Sequence, residues 1–481
     1  MQRRFFSPLT LVLLLAALPA RADIKPHALF SDGMVLQQGV KCPVWGTSDD
    51  EEVVTVTFDA ADQGISAKLT AQPANGAWRV ELPALKAGGP YTLTMKAKNT
   101  VSVKDVLVGE VWVASGQSNM EWSINAGETP AQIKEGAEHK HIRLFTVPKR
   151  TSDKPEKDIN AKWTPCTPQT VGGFSAVAYH FGVALHKARE VPVGLIHSSW
   201  GGTICEAWTP KEALVKNDEL KVLWDRYENT APDKRKGANN AAVLYNGMIA
   251  CLQPYAIKGA IWYQGESNAG RAYQYRTLFP EMIKSWRETW KNPDMPFLFV
   301  QLAPFMAIVD QPQESAWAEL REAQLMTMEN LKNTGMAVIT DIGDPKDIHP
   351  KPKRPVGERL ALAARALGYG EKITYSGPIY SQKEVQGNKM YLSFKHVGKG
   401  LEAREGDLKG FTIAGDDRKF HNAQAKIEGD KVVVWSDKVE KPAAVRYGWA
   451  NCPVVNLWNK DGLPASPFRT DDWPGQTAGK K

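Results

Sequence analysis

Four short segments carry residues whose types and spacing suit nucleophilic acyl chemistry, and each follows an apolar run. In the first, Ser115-Gly116-Gln117-Ser118-Asn119-Met120, Gly116 permits a tight turn that exposes the Ser118 hydroxyl. The residues after it can open a helix whose N–H groups face a developing oxyanion. The same pattern suits a plain helix cap, so Ser118 needs partners. In the second, Ser198-Ser199-Trp200-Gly201-Gly202-Thr203, paired glycines let the main chain approach a ligand closely or simply form a flexible turn. The third, Gln264-Gly265-Glu266-Ser267-Asn268, offers the Asn268 amide as a donor toward the crevice of Ser118, or else a helix N-terminus. The fourth runs from Asp341 to Pro350 and sets Asp347 two residues before His349. A carboxylate so placed can accept from one imidazole nitrogen and leave the other to face a serine, although an acidic residue beside His is also common on surface loops. No second His lies near it in sequence, which argues against a metal site.

The elements that must position these segments are legible from hydrophobic pattern. Between about Val106 and Tyr369, strand-like runs (Val106 to Ala114, Pro192 to His197, Ala256 to Tyr263, Phe297 to Leu302, Gly335 to Thr340) alternate with helical stretches. That alternation predicts a mostly parallel sheet covered on both faces, with ligands outside the carboxyl ends of the strands. A helix is predicted over Ala272 to Trp290, where Tyr275, Leu278, Phe279, Met282 and Trp286 recur at helical spacing. Residues 206–240 are charged and carry no strand signal, so they read as a surface excursion. Residues 23–105 and 371–475 show short alternating runs broken by Gly, Pro and Asn, and each predicts a small β-domain. The tail at 476–481, and the chain from about Gly475, reads as frayed.

Residues 1–22 place Arg3 and Arg4 before an apolar run of about ten residues and end in Ala20-Arg21-Ala22. This is the pattern of a cleaved leader, since a spanning helix needs about twenty apolar residues. Export to periplasm or medium follows, with no membrane anchor once the leader is gone. The formal charge of +7 includes the three leader arginines, which leaves +4 on the remaining chain. That weak excess, spread among carboxylates, does not predict nucleic-acid binding. Cys42, Cys166, Cys205, Cys251 and Cys452 form no CxxC pair, which speaks against a zinc cluster; their odd number leaves at least one thiol free, and pairing cannot be read from spacing. Oligomeric state is equally unreadable.

Taken together, GQSNM, the Gly-rich second block, QGESN and DIHP resemble the four blocks of the SGNH hydrolases, and more narrowly those of sialate O-acetylesterases and related carbohydrate acetylesterases. HSSWGGTICEAWTP (His197 to Pro210), LYNGMI (Leu244 to Ile249), RYGWA (Arg446 to Ala450) and NKDGLPASPFRTD (Asn459 to Asp471) extend the likeness over nearly the whole chain. The resemblance implies an α/β, flavodoxin-like parallel sheet flanked by N- and C-terminal β-sandwich-like domains. It implies a serine esterase that removes O-acetyl groups from sugars, most directly O-acetylated sialic acids, without metal or organic cofactor. Ser118 would be the nucleophile, His349 the base and Asp347 its orienting acid, with Ser118, Gly202 and Asn268 forming the oxyanion hole. The SGNH pattern sets its Asp three residues before the His rather than two, so Glu266 stays open as an alternative acid. Gln117, Gln264 and Glu266 are also possible substrate contacts. Trp122, Trp200, Trp208 and Tyr263 are candidates for sugar-stacking or acetyl-packing walls. An acetylxylan or other polysaccharide esterase, and a non-catalytic carbohydrate-binding protein, are the alternative functions.

Overall fold

The computed structural model describes residues 23–49 and 52–481, so the expected leader at 1–22 lies outside the described residues. The run from Val106 to Gly116 is buried at every position, as a strand covered on both faces must be. It forms the inner part of β1 (Thr100–Gly116). The central sheet adds β2 (His139–Thr146), β3 (Thr164–Cys166), β4 (Val193–Ser199), β5 (Gly259–Tyr263), β6 (Phe297–Val300) and β7 (Thr334–Ala337). Its order is β3-β2-β4-β1-β5-β6-β7. Neighbours from β2 to β7 are parallel, and β3 is an antiparallel edge.

Helix α1 (Ser118–Glu121) follows β1 directly; α2 (Ala176–Arg189), α3 (Ala272–Thr289), α4 (Ala316–Asn330) and α5 (Arg354–Ala363) cover the sheet. Alternate strand residues feed the two faces. Trp112, Ala114, Leu195, Ile261 and Leu298 pack with Phe181 of α2 and Leu360 of α5. Val111, Val113, Trp262, Phe297 and Phe299 pack with Phe279 and Trp286 of α3 and Leu320 of α4. The five apolar positions expected to mark α3 are all buried.

The N-terminal part of β1 pairs antiparallel with Gly88–Lys96, which continues through Val54–Ala60 to Ile65–Ala71. One strand thus runs from the N-terminal β-region into the central sheet, and the boundary expected at 105/106 falls inside it. Residues 206–240 contain two helices, Lys211–Lys216 and Asp218–Glu228, whose Leu214, Leu220, Leu223 and Trp224 are buried. After Tyr369 the chain forms short antiparallel strands, among them Lys389–Lys395 beside Lys431–Trp435 and Phe411–Ala414 beside Ala444–Tyr447. All five cysteines are buried free thiols.

The start of the tail departs from expectation. Thr477 is fully buried, and the Gln476 and Thr477 N–H groups donate to the carboxylate of Glu319 on α4. Glu319 is itself buried, and a buried carboxylate must be given donors. The tail supplies them, which overturns fraying for this stretch.

Candidate active site

Ser118 sits where β1 turns into α1. Gly116, at φ +135°, is required there, because a Cβ would meet the Tyr263 carbonyl oxygen at 2.2 Å. Gln117 is extended, and Ser118 opens α1; the Met120 and Glu121 N–H groups donate to the Gln117 carbonyl, so of the first-turn donors the Ser118 N–H is the one carried by the nucleophile itself. His349 arrives on the irregular chain after β7. Its Nε2 lies 2.8 Å from Ser118 Oγ. Asp347 Oδ1 accepts the His349 backbone N–H at 2.9 Å and lies 3.6 Å from Nδ1. The Trp122 ring stacks on the imidazole, with centroids 5.0 Å apart and planes inclined by 20°. Burial, and then the nearby Lys353 ammonium, lower the His349 pKa below its ordinary value, while Asp347 raises it in part. An imidazole so placed is neutral and able to accept the serine proton.

A cleft of about 600 Å³ opens beside this pair, lined by Ser118, His349, Trp122, Glu121, Lys149, His197 and Ser199 among others. Glu121 receives the Lys149 ammonium at 2.5 Å and the Gly201 N–H at 2.6 Å. A Cβ on Gly201 would lie 3.2 Å from Ser118 Cβ, so the paired glycines run against the nucleophile. Gly202 has φ +74° and its carbonyl accepts from Asn239. His197 Nε2 meets Ser199 Oγ at 2.5 Å; burial lowers the His197 pKa to about 4, so this ring is neutral.

The structure thus brings Ser118, His349, Asp347 and the glycine turn together. Asn268 it does not bring to the cleft. Its amide nitrogen donates to Glu206 Oε2 at 2.9 Å, and its oxygen accepts from the Cys205 N–H and from Gln264. Glu206 is buried and paired with Arg271, and such a carboxylate claims nearby donors. Gln264 is fully buried, spent on Tyr275, Thr203 and Asn268. Gln117 is buried and accepts from the Gly265 and Ser267 N–H groups, tying the first turn to the third. Glu266 accepts from Asn119 at 2.7 Å, and burial raises its pKa. None of these three lines the cleft. Trp208 and Tyr263 are fully buried core residues, which overturns their reading as substrate walls; Trp122 lines the cleft, and Trp200 lies beneath the Lys149 ammonium.

Sequence reasoning missed Glu121, Lys149, His197 and Lys353. One had a local signal: Glu121 is three residues after Ser118, on the same helical turn.

A family model for carbohydrate esterases, described as sialic acid-specific acetylesterase, matches residues 108–366. The sialate O-acetylesterase of Homo sapiens is 31% identical over 493 residues, covering 92% of each chain. That of Mus musculus is 30% identical, covering 90% of this chain and 92% of its own. A crystal structure of a carbohydrate acetylesterase from Xanthomonas citri superimposes with a TM-score of 0.85 at 43% identity, covering 94% of this chain and all of that one.

Proposed function

We propose, because the chain belongs to the carbohydrate esterase family of sialic acid-specific acetylesterases, that it removes O-acetyl groups from sialic acids or related sugars with Ser118 as nucleophile and His349 as base. Membership makes it a carboxylic ester hydrolase. The observation that carries the residue assignment is the 2.8 Å approach of His349 Nε2 to Ser118 Oγ at the mouth of the cleft. His349 takes the Ser118 proton as Oγ attacks the acetyl carbonyl, and then gives that proton to the departing sugar oxygen. Water, deprotonated by the same imidazole, releases acetate from the acetyl-enzyme. Asp347, at 3.6 Å from Nδ1, orients the ring, and Glu266 is the weaker candidate because it faces Asn119 instead. The N–H groups of Ser118 and Gly202 are the proposed oxyanion donors. Asn268 leaves that role, since its amide is committed to Glu206.

Two further readings concern the domain type and export. The strands β4-β1-β5-β6-β7 stand in the order second, first, third, fourth, fifth, with β2 as a further parallel strand outside β4, which supports an SGNH-type, flavodoxin-like domain flanked by β-regions, the N-terminal one joined to it through β1. The pattern of residues 1–22 supports export. Among the described residues no helix is long and apolar enough to cross a membrane.

The Xanthomonas citri relative is a carbohydrate acetylesterase, so an acetylated sugar other than sialic acid, acetylated xylan among them, is the second substrate reading. Acetate release from 9-O-acetylated sialic acid and from acetylated xylan, compared as kcat/KM, decides between them. Preference for sialic acid supports the first reading; preference for xylan keeps the mechanism and moves the substrate.

A further inference from the structure

Behind the Ser118–His349 pair lies a buried polar network that takes no part in the proton transfers between serine, imidazole and sugar oxygen. Lys353, only 3% exposed, donates from Nζ to Asn119 Oδ1 at 2.5 Å. Asn119, fully buried, donates from Nδ2 to Glu266 Oε1 at 2.7 Å and to the Ile348 carbonyl at 3.0 Å. Asn119 follows the nucleophile and Ile348 precedes the base, so one amide bridges the two chain segments whose separation sets the Oγ to Nε2 distance. The Lys353 ammonium also lies 5.8 Å from the Trp122 ring centroid and 5.5 Å from that of Tyr263, and Trp122 is the ring stacked on His349.

A lysine this buried is costly unless its charge is used, and an amide that makes three bonds has only one orientation that satisfies them. With Lys353 on Oδ1, the Asn119 amide cannot flip, and its two N–H donors are fixed on Glu266 and on the backbone beside His349. We propose that Lys353 is a positioning residue: its buried ammonium, held on Asn119, fixes the His349 segment against the Ser118 turn and places a positive charge behind the imidazole.

The charge has a direction of effect. The titratable and charged groups around the imidazole are Asp347 on its own loop, Lys353 at the start of α5, Glu121 of α1 with Lys149 across the cleft, and His197 at the end of β4. Lys353 opposes protonation of His349, whereas Asp347 favours it. Burial brings the Lys353 pKa to about 7, with Glu266 and Asp347 pulling it back up, so the ammonium is charged across the acidic range in which the imidazole titrates. Removing it therefore raises the His349 pKa and moves the acid limb of activity to higher pH.

This inference rests on the assignment of Ser118 and His349, and the test separates the two. Lys353→Met, Lys353→Gln and Lys353→Arg are compared with the wild-type chain, folding being checked by thermal melting. The readouts are the pH–rate profile on 4-nitrophenyl acetate and the NMR titration of the His349 ring, which needs no turnover. For Lys353→Met we expect kcat to fall about 10- to 100-fold with KM changed less than about 3-fold, and the His349 pKa to rise above that of the wild-type chain. Lys353→Gln, which keeps a donor without the charge, should show the pKa rise with a smaller loss of kcat; if Lys353→Met does not fold, this variant carries the test. Lys353→Arg should recover most of the wild-type pKa. A His349 pKa unchanged in every folded variant would overturn the proposal even if kcat fell, because a merely structural role predicts that outcome. Absence of Ser118-dependent hydrolysis in the wild type would instead strike the functional assignment, leaving the ring titration to judge the inference.

Discussion

At the scale of single residues, the chemistry depends on His349 being neutral when Ser118 must lose its proton. Burial and Lys353 lower the imidazole pKa, so the base form persists below the ordinary value of about 6.5 and is lost only as pH falls through the lowered value. The acid limb of kcat/KM is therefore expected below about 6.5; a limb at or above that pH would contradict the environment described for the ring. Asn268 makes the opposite kind of prediction. Its amide satisfies the buried Glu206, so Asn268→Ala should cost about 1–3 kcal/mol of stability, read from a denaturant midpoint. A stable Asn268→Ala chain with a kcat reduced about 10²-fold or more would restore this residue to the oxyanion hole. Ser118 and the Asp347–His349 pair were legible because their partners are local or follow strand ends. The fate of Asn268 was not, since it is set by a carboxylate 62 positions away, and spacing carries no information about such contacts.

At the scale of elements, the nucleophile turn is held by close backbone approach. Gly116 touches the end of β5, where a Cβ would lie 2.2 Å from the Tyr263 carbonyl, and its positive φ adds strain for any other residue. Gly116→Ala should lose more than about 2 kcal/mol, or fail to fold, as judged by thermal melting. Gly201 is different, because a Cβ there meets Ser118 Cβ at 3.2 Å in a turn rather than in the core. Gly201→Ala should lower kcat by about tenfold or more with a melting temperature within a few degrees of wild type. Equal kcat in that variant would show that the glycine turn does not need its present proximity. The strands and α3 could be read from periodicity because burial on a sheet face repeats along the chain. Trp208 and Tyr263 misled because an aromatic near a strand end reads the same whether it faces a cleft or the core.

At the scale of the whole molecule, distant parts of the chain complete one another. β1 serves both the N-terminal β-region and the central sheet. The C-terminal segment returns to α4, where Gln476 and Thr477 satisfy Glu319. Deleting residues 476–481 should lower the melting temperature measurably, since it leaves a buried carboxylate without those donors; an unchanged value would restore the frayed reading. That contact spans 157 residues, and the small, polar composition of the tail gave no sign of it.

The central claim is that Ser118 is the activated nucleophile, and organophosphate labelling followed by peptide mass spectrometry tests it most directly. One adduct per chain is expected, located on Ser118 and forming in step with loss of acetate release from O-acetylated sialic acid. Full labelling at another serine, or acetate release that survives a Ser118 adduct, would contradict it.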